Sequence, residues 1–96
     1  MSEKVYIAGR ITGLPCYKKE FSCAQEKLQR RGFTVMNPAI LPAGFTHRDY
    51  MHVCFAMIDV CERVHFLDGW QESVGAMAEH DYATCKRKKV TYETPD

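Results

Sequence analysis

Four short β-prone runs alternate with three stretches of helical periodicity, and that alternation restricts the chain to very few folds. Residues 4–8 (K-V-Y-I-A) are β-prone and stop at Gly9. From Tyr17 to Arg31 the apolar residues Tyr17, Phe21, Ala24 and Leu28 recur at helical spacing, and Gly32 after Arg30 and Arg31 makes a suitable C-terminal stop. Residues 33–36 (F-T-V-M) read as a second strand ended by Asn37 and Pro38. A Pro- and Gly-rich loop of about ten residues leads to a helix from Thr46 or His47 to Cys61. Residues 63–67 (R-V-H-F-L) form the third strand, closed by Asp68 and Gly69. Ser73 suits the N-cap of a helix from Val74 to about Arg87, whose expected core stripe is Val74, Met77, Ala78, Tyr82 and Cys85. Residues 89–92 (K-V-T-Y) are the fourth strand, and the tail from Glu93 to Asp96 is expected to fray.

Strand–helix–strand repeated three times requires right-handed crossovers and hence a parallel sheet. The expected fold is α/β: a small doubly wound, flavodoxin- or Rossmann-like sheet of about four strands with three helices. At 96 residues the chain is long enough for one domain over residues 1–96 and one core. Ligands on such sheets sit beyond the carboxyl ends of the strands, here residues 9–13, 37–44 and 68–73.

Charge and motif content exclude several roles. Thirteen basic residues against twelve acidic ones argue against a protein that coats nucleic acid. The run Lys86, Arg87, Lys88, Lys89 reads better as a solvated helix end than as a nucleic-acid patch. No apolar run reaches the ~20 residues of a membrane span, and Met1-Ser2-Glu3-Lys4 is unlike a signal peptide, so a cytoplasmic protein is expected. The five cysteines form no C-x-x-C pair and the histidines show no ligand spacing, so neither a metal site nor a cofactor is expected. The helix around residues 50–61 is apolar almost all round, with only His52 and Asp59 strongly polar. Such a helix points to a homo-oligomer that covers it.

Two stretches carry candidate chemistry. In Tyr6-Ile7-Ala8-Gly9-Arg10-Ile11-Thr12-Gly13 the glycines let backbone approach a ligand, and Arg10 could pair with a phosphate or simply be solvated. In Asp68-Gly69-Trp70-Gln71-Glu72-Ser73-Val74-Gly75-Ala76-Met77-Ala78-Glu79, the near-bare positions Gly75 and Ala76 share a helix face with Glu79. They leave room for an anion against the helix N-terminus and the Ser73 hydroxyl. Read by position alone, Glu79 is better taken as an exposed helical glutamate. Trp70 offers a ring to stack on a base or on a partner subunit, and Asp68 and Glu72 are either helpers in proton transfer or a turn residue and a first-turn acid.

The runs Y-I-A-G-R-I-T-G and G-W-Q-E-S-V-G-A-M-A-E-H, with Tyr50-Met51, Met57-Ile58-Asp59 and Cys61-Glu62 between them, resemble the DUF4406 family of small bacterial and phage proteins. That family is similar to nucleoside 2-deoxyribosyltransferases and 2′-deoxynucleoside 5′-monophosphate N-hydrolases. The resemblance spans about Lys4 to Glu93 for the family and only the motifs for the enzymes. It implies a nucleophilic role for Glu79, a phosphate contact for Ser73 and a sugar- and carboxylate-placing role for Tyr6. It likewise implies a sugar-phosphate loop from Gly9 through Arg10 and Ile11 to Gly13; Asp68, Trp70 and Gly75 are taken as substrate-binding on their own positions. Relatives often carry Pro at Arg10 and Asp at Glu62, and the enzymes place an Asp near Cys54. The resemblance therefore implies a protein that binds a small-molecule nucleoside or nucleotide and cleaves or transfers its N-glycosidic bond. The alternatives are a non-catalytic nucleotide-binding or sequestering protein and a regulatory module with a vestigial pocket.

Overall fold

The computed structural model describes residues 2–94. A parallel sheet in the order β2-β1-β3-β4 is built from β1 (Lys4–Ala8), β2 (Thr34–Met36), β3 (Arg63–Phe66) and β4 (Lys89–Tyr92). The connections carry α1 (Tyr17–Arg30), α2 (His47–Asp59) and α3 (Val74–Cys85). Val5 stands beside Val35 on one side and Arg63 on the other, so strand order reverses around β1. This is the doubly wound α/β arrangement that the alternating periodicities predict.

Central β1 explains its own composition. Covered on both faces, it needs a continuous apolar run rather than an alternating one. Val5 and Ile7 pack with Phe21, Ala24 and Leu28 of α1, while Tyr6 and Ala8 pack on the opposite face with Ile58 of α2 and Ala83 of α3. A reciprocal capping box between Thr46 and Asp49 starts α2, and the Ser73 hydroxyl caps α3 by accepting from the Ala76 amide at 3.1 Å. Gly32, at φ +93°, ends α1 as its sequence position suggests. Among the described residues no helix is long and apolar enough to cross a membrane.

Three expectations need correction. The buried side of α3 is Ala76, Glu79 and Ala83, whereas Val74 and Met77 are 79% and 50% exposed and Cys85 is also exposed. Small side chains let α3 lie close over Tyr6 and Phe66, and that close approach outweighs the larger apolar area on its other face. The tail does not fray at Glu93, whose amide donates to the Phe66 carbonyl at 2.7 Å and whose carboxylate accepts from the Asp68 amide. Pro95 and Asp96 lie outside the described residues. Short 3-10 turns at Pro38–Ile40 and Trp70–Glu72 occupy segments read as loop, and α2 and α3 stop two residues before the expected ends.

Gly9, where β1 opens into its loop, is required by space. A Cβ there would stand 3.1 Å from Leu67 Cβ and 3.3 Å from Phe21 Cζ. Gly9→Ala should cost about 1–3 kcal/mol, read as a lowered midpoint in urea unfolding at unchanged slope.

Candidate functional site

A cleft of about 540 Å³ opens at the carboxyl end of β1. Tyr6 and Gly9 form its floor, the loop of Arg10, Ile11 and Thr12 one rim, and Ser73, Gly75 and Glu79 of the α3 start the facing wall. The segment after β2, with Pro38 and Leu41, and the inward side of α2, with His47, Tyr50, Met51 and Cys54, close it. The Tyr50 hydroxyl donates to the Pro42 carbonyl at 2.6 Å, which pins that segment to α2.

Glu79 lies at the bottom, 6% exposed, and its carboxylate accepts a short hydrogen bond from the Tyr6 hydroxyl. Burial pushes its pKa up to about 7, against the opposing pull of hydrogen bonds from Tyr6 and Cys54. Burial, with the neighbouring carboxylate, raises Tyr6 well above the usual phenol value. Burial also lifts the Cys54 thiol to about 11, although its hydrogen bond with Tyr6 pulls it down. Two neutral donors thus face one carboxylate that exchanges its proton near neutrality. Such a group can act as a nucleophile when ionised or as an acid when protonated.

Of the residues singled out from the sequence, Tyr6, Gly9, Arg10, Ile11, Ser73, Gly75 and Glu79 line this cleft. Gly13, Asp68 and Trp70 do not. Gly13 shapes the loop instead, at φ +78°, where a Cβ would press on the Arg10 guanidinium at 3.2 Å. Asp68 is exposed and its amide is tied to Glu93. Trp70 stacks on His80 at 4.6 Å within a cluster that includes Phe66 and Tyr92, so its ring is already engaged by the chain itself. Arg10 donates to Glu72 at 3.2 Å at the open rim, a pair too exposed to hold it firmly.

Sequence reasoning missed the α2 wall. His47, Tyr50, Met51 and Cys54 fall at helical spacing, a stripe that could have been read as a face directed at the cleft. The bareness of Gly75 matters here, because a Cβ on it would touch Met51 Sδ at 3.4 Å and His47 Cε1 at 3.6 Å. Among the described residues no group of three or more His, Cys, Asp or Glu comes together to hold a metal.

Residues 3–92 match the family described as "Domain of unknown function (DUF4406)", and the chain belongs to that family. No curated protein matches the sequence. Among solved structures the chain is similar to a 2-desoxiribosyltransferase from Leishmania mexicana, with a TM-score of 0.76 at 15% sequence identity. The superposition covers 98% of this chain and 65% of the neighbour, so the chain spans just under two thirds of that protein. At this identity the likeness establishes a shared fold.

The raised pKa of Glu79 has a stability consequence of definite sign. Between about 4.5 and about 7 the native state binds a proton that the unfolded state has lost, so stability falls as pH rises through that window. Glu79→Gln should remove this slope and at pH 8 gain on the order of 2–3 kcal/mol over the wild type, measured by denaturant unfolding across pH.

Proposed function

We propose that this DUF4406 member binds a nucleoside 5′-monophosphate in the cleft and cleaves or transfers its N-glycosidic bond through Glu79. The observation that carries the reading is the buried Glu79 carboxylate, held by Tyr6 at the floor of a cleft at the strand ends. Cleavage of a C1′–N bond builds positive charge at the anomeric carbon, and a carboxylate beneath it stabilises that charge or forms a glycosyl ester. Tyr6 sets the carboxylate's orientation through its hydroxyl. The Ser73 hydroxyl and the first amides of α3 suit the 5′-phosphate, with Arg10 at the rim able to exchange Glu72 for it. Gly9 lines the cleft beside Tyr6, where the sugar would lie. Pro38, Leu41, Met51 and Tyr50 offer a mainly apolar wall to the base. Water accepts the glycosyl group in hydrolysis, and a second base accepts it in transfer. The similarity to the Leishmania mexicana 2-desoxiribosyltransferase supports glycosyl chemistry in this fold.

The site is also proposed to work in a homo-oligomer. On the outer side of α2, Val53 is 42% exposed, and just beyond its end Val60 is 52% exposed. Phe45, immediately before the helix, is 59% exposed and extends the same apolar surface. A second copy covering this face would bury it. Ala56, exposed one turn after Val53 on the same side of α2, would lie in that contact, so Ala56→Arg should convert the assembly to a monomer in sedimentation velocity; a wild type that already sediments as a monomer at micromolar concentration contradicts this.

Incubation with a panel of nucleoside 5′-monophosphates, followed by chromatography for free base, tests the main reading. Glu79→Ala should lower base release by about 100-fold or more while nucleotide binding by calorimetry persists. Tight binding with no release from the wild type would instead support a sequestering protein.

A further inference from the structure

Glu79 is a buried carboxylate with no counter-charge. Among the described residues no cation pairs with it: Arg10 is engaged at the rim by Glu72, and Lys18 is exposed on the α1 wall. Tyr6, which donates to it, and the adjacent Cys54 are neutral. An unpaired buried charge is costly, and a ligand that brings positive charge to the carboxylate offsets that cost.

The same surroundings are poor in proton donors for a departing base. A neutral purine or pyrimidine leaves with negative charge on its ring nitrogen and needs an acid, a contribution of roughly 10²–10⁴-fold. Glu79 is committed to the anomeric carbon, and Glu72 stands with Arg10 at the open rim, the end that suits the phosphate, with its side chain 70% exposed. The Tyr6 hydroxyl already donates to Glu79, and burial raises both Tyr6 and Cys54, which disfavours proton release from either. His47 lies beside Gly75, one helical turn from Glu79 on the Ser73 side, the end that suits the phosphate. Cys54 lines the α2 wall beside Glu79, so that position holds a neutral thiol and not a carboxylic acid.

Resting on the reading of Glu79 as the group at the anomeric carbon, we infer that the preferred substrates are N-glycosides whose leaving ring is already cationic, a pyridinium or an N7-alkylated purine on a sugar 5′-phosphate. The C1′–N bond breaks with its electron pair going to the cationic ring, which departs neutral. A Glu79 oxygen supplies the pair that forms the new bond to C1′. Water then attacks C1′ and displaces the carboxylate, giving the free sugar phosphate and one proton to solvent. No proton is delivered to the leaving ring at any step. The apolar wall with the Tyr50 ring suits a flat cation, which aromatic faces attract.

The test compares nicotinamide mononucleotide and N7-methylguanosine 5′-monophosphate with guanosine 5′-monophosphate, each corrected for spontaneous loss of base. Release of nicotinamide and 7-methylguanine should exceed release of guanine by about 100-fold or more, and a smaller ratio overturns the inference. Cys54→Asp, checked for folding by thermal melting, should narrow the ratio about tenfold by adding the missing acid; a folded variant with an unchanged ratio overturns it. A His47→Gln variant whose ratio rises about tenfold would identify His47 as a working acid and overturn it too. Glu79→Gln separates the two readings. If it abolishes every activity, the glycosidic role of Glu79 stands whatever the ratio, whereas surviving 7-methylguanine release sinks that role itself.

Discussion

A tyrosine on the central strand and a glutamate on the last helix meet through one buried hydrogen bond, and much of the molecule is arranged around that contact. Tyr6 sits on a strand covered on both faces, so its ring is fixed by β2 and β3 on either side and by α2 and α3 above. Glu79 reaches it only because α3 presents Ala76 and Ala83 to the sheet, and Gly75 to α2. Larger residues at those positions would hold the helix away and open the carboxylate to water. Close packing and an unpaired buried charge therefore come together, and the second is tolerated because the carboxylate can take up a proton near neutrality.

The sheet and its helices were legible because each stretch has one dominant period. Residues 4–8 are apolar throughout, Phe21, Ala24 and Leu28 keep helical spacing, and Ser73 is a capping residue before an apolar run. Along α3 the same reasoning failed. That helix carries apolar residues on both sides, so hydropathy points to Val74 and Met77, whereas the size of the gap above the sheet selects alanine. Size complementarity between layers depends on both partners, and a single helix does not display it.

The site divides along a similar line. Tyr6, Gly9, Ser73, Gly75 and Glu79 lie in two compact runs next to strand ends, where the doubly wound topology brings them into one hollow. The α2 wall meets those runs only through tertiary approaches such as Met51 and His47 against Gly75, and the segment from Pro38 to Ala43 is tied to α2 by the Tyr50 hydroxyl. Trp70 illustrates the converse error. A lone tryptophan in a loop suggests a ligand, yet His80, one residue past Glu79, supplies the ring it stacks on. Cys54 is a buried thiol whose chemical importance comes from standing beside Glu79, which its place in the sequence does not display.

Membership of DUF4406 and the fold shared with a deoxyribosyltransferase describe the chain's architecture, while the electrostatics of the cleft belong to this sequence. Carbon-detected NMR of a glutamate-labelled protein, with the Glu79 signal assigned by its loss in Glu79→Gln, reports directly on that electrostatic state. A carboxyl shift that titrates with a midpoint near 7 would match a buried, uncompensated group hydrogen-bonded to Tyr6. A midpoint near 4.5, the ordinary glutamate value, would mean that water or a cation reaches the carboxylate, and the site as described here would be wrong.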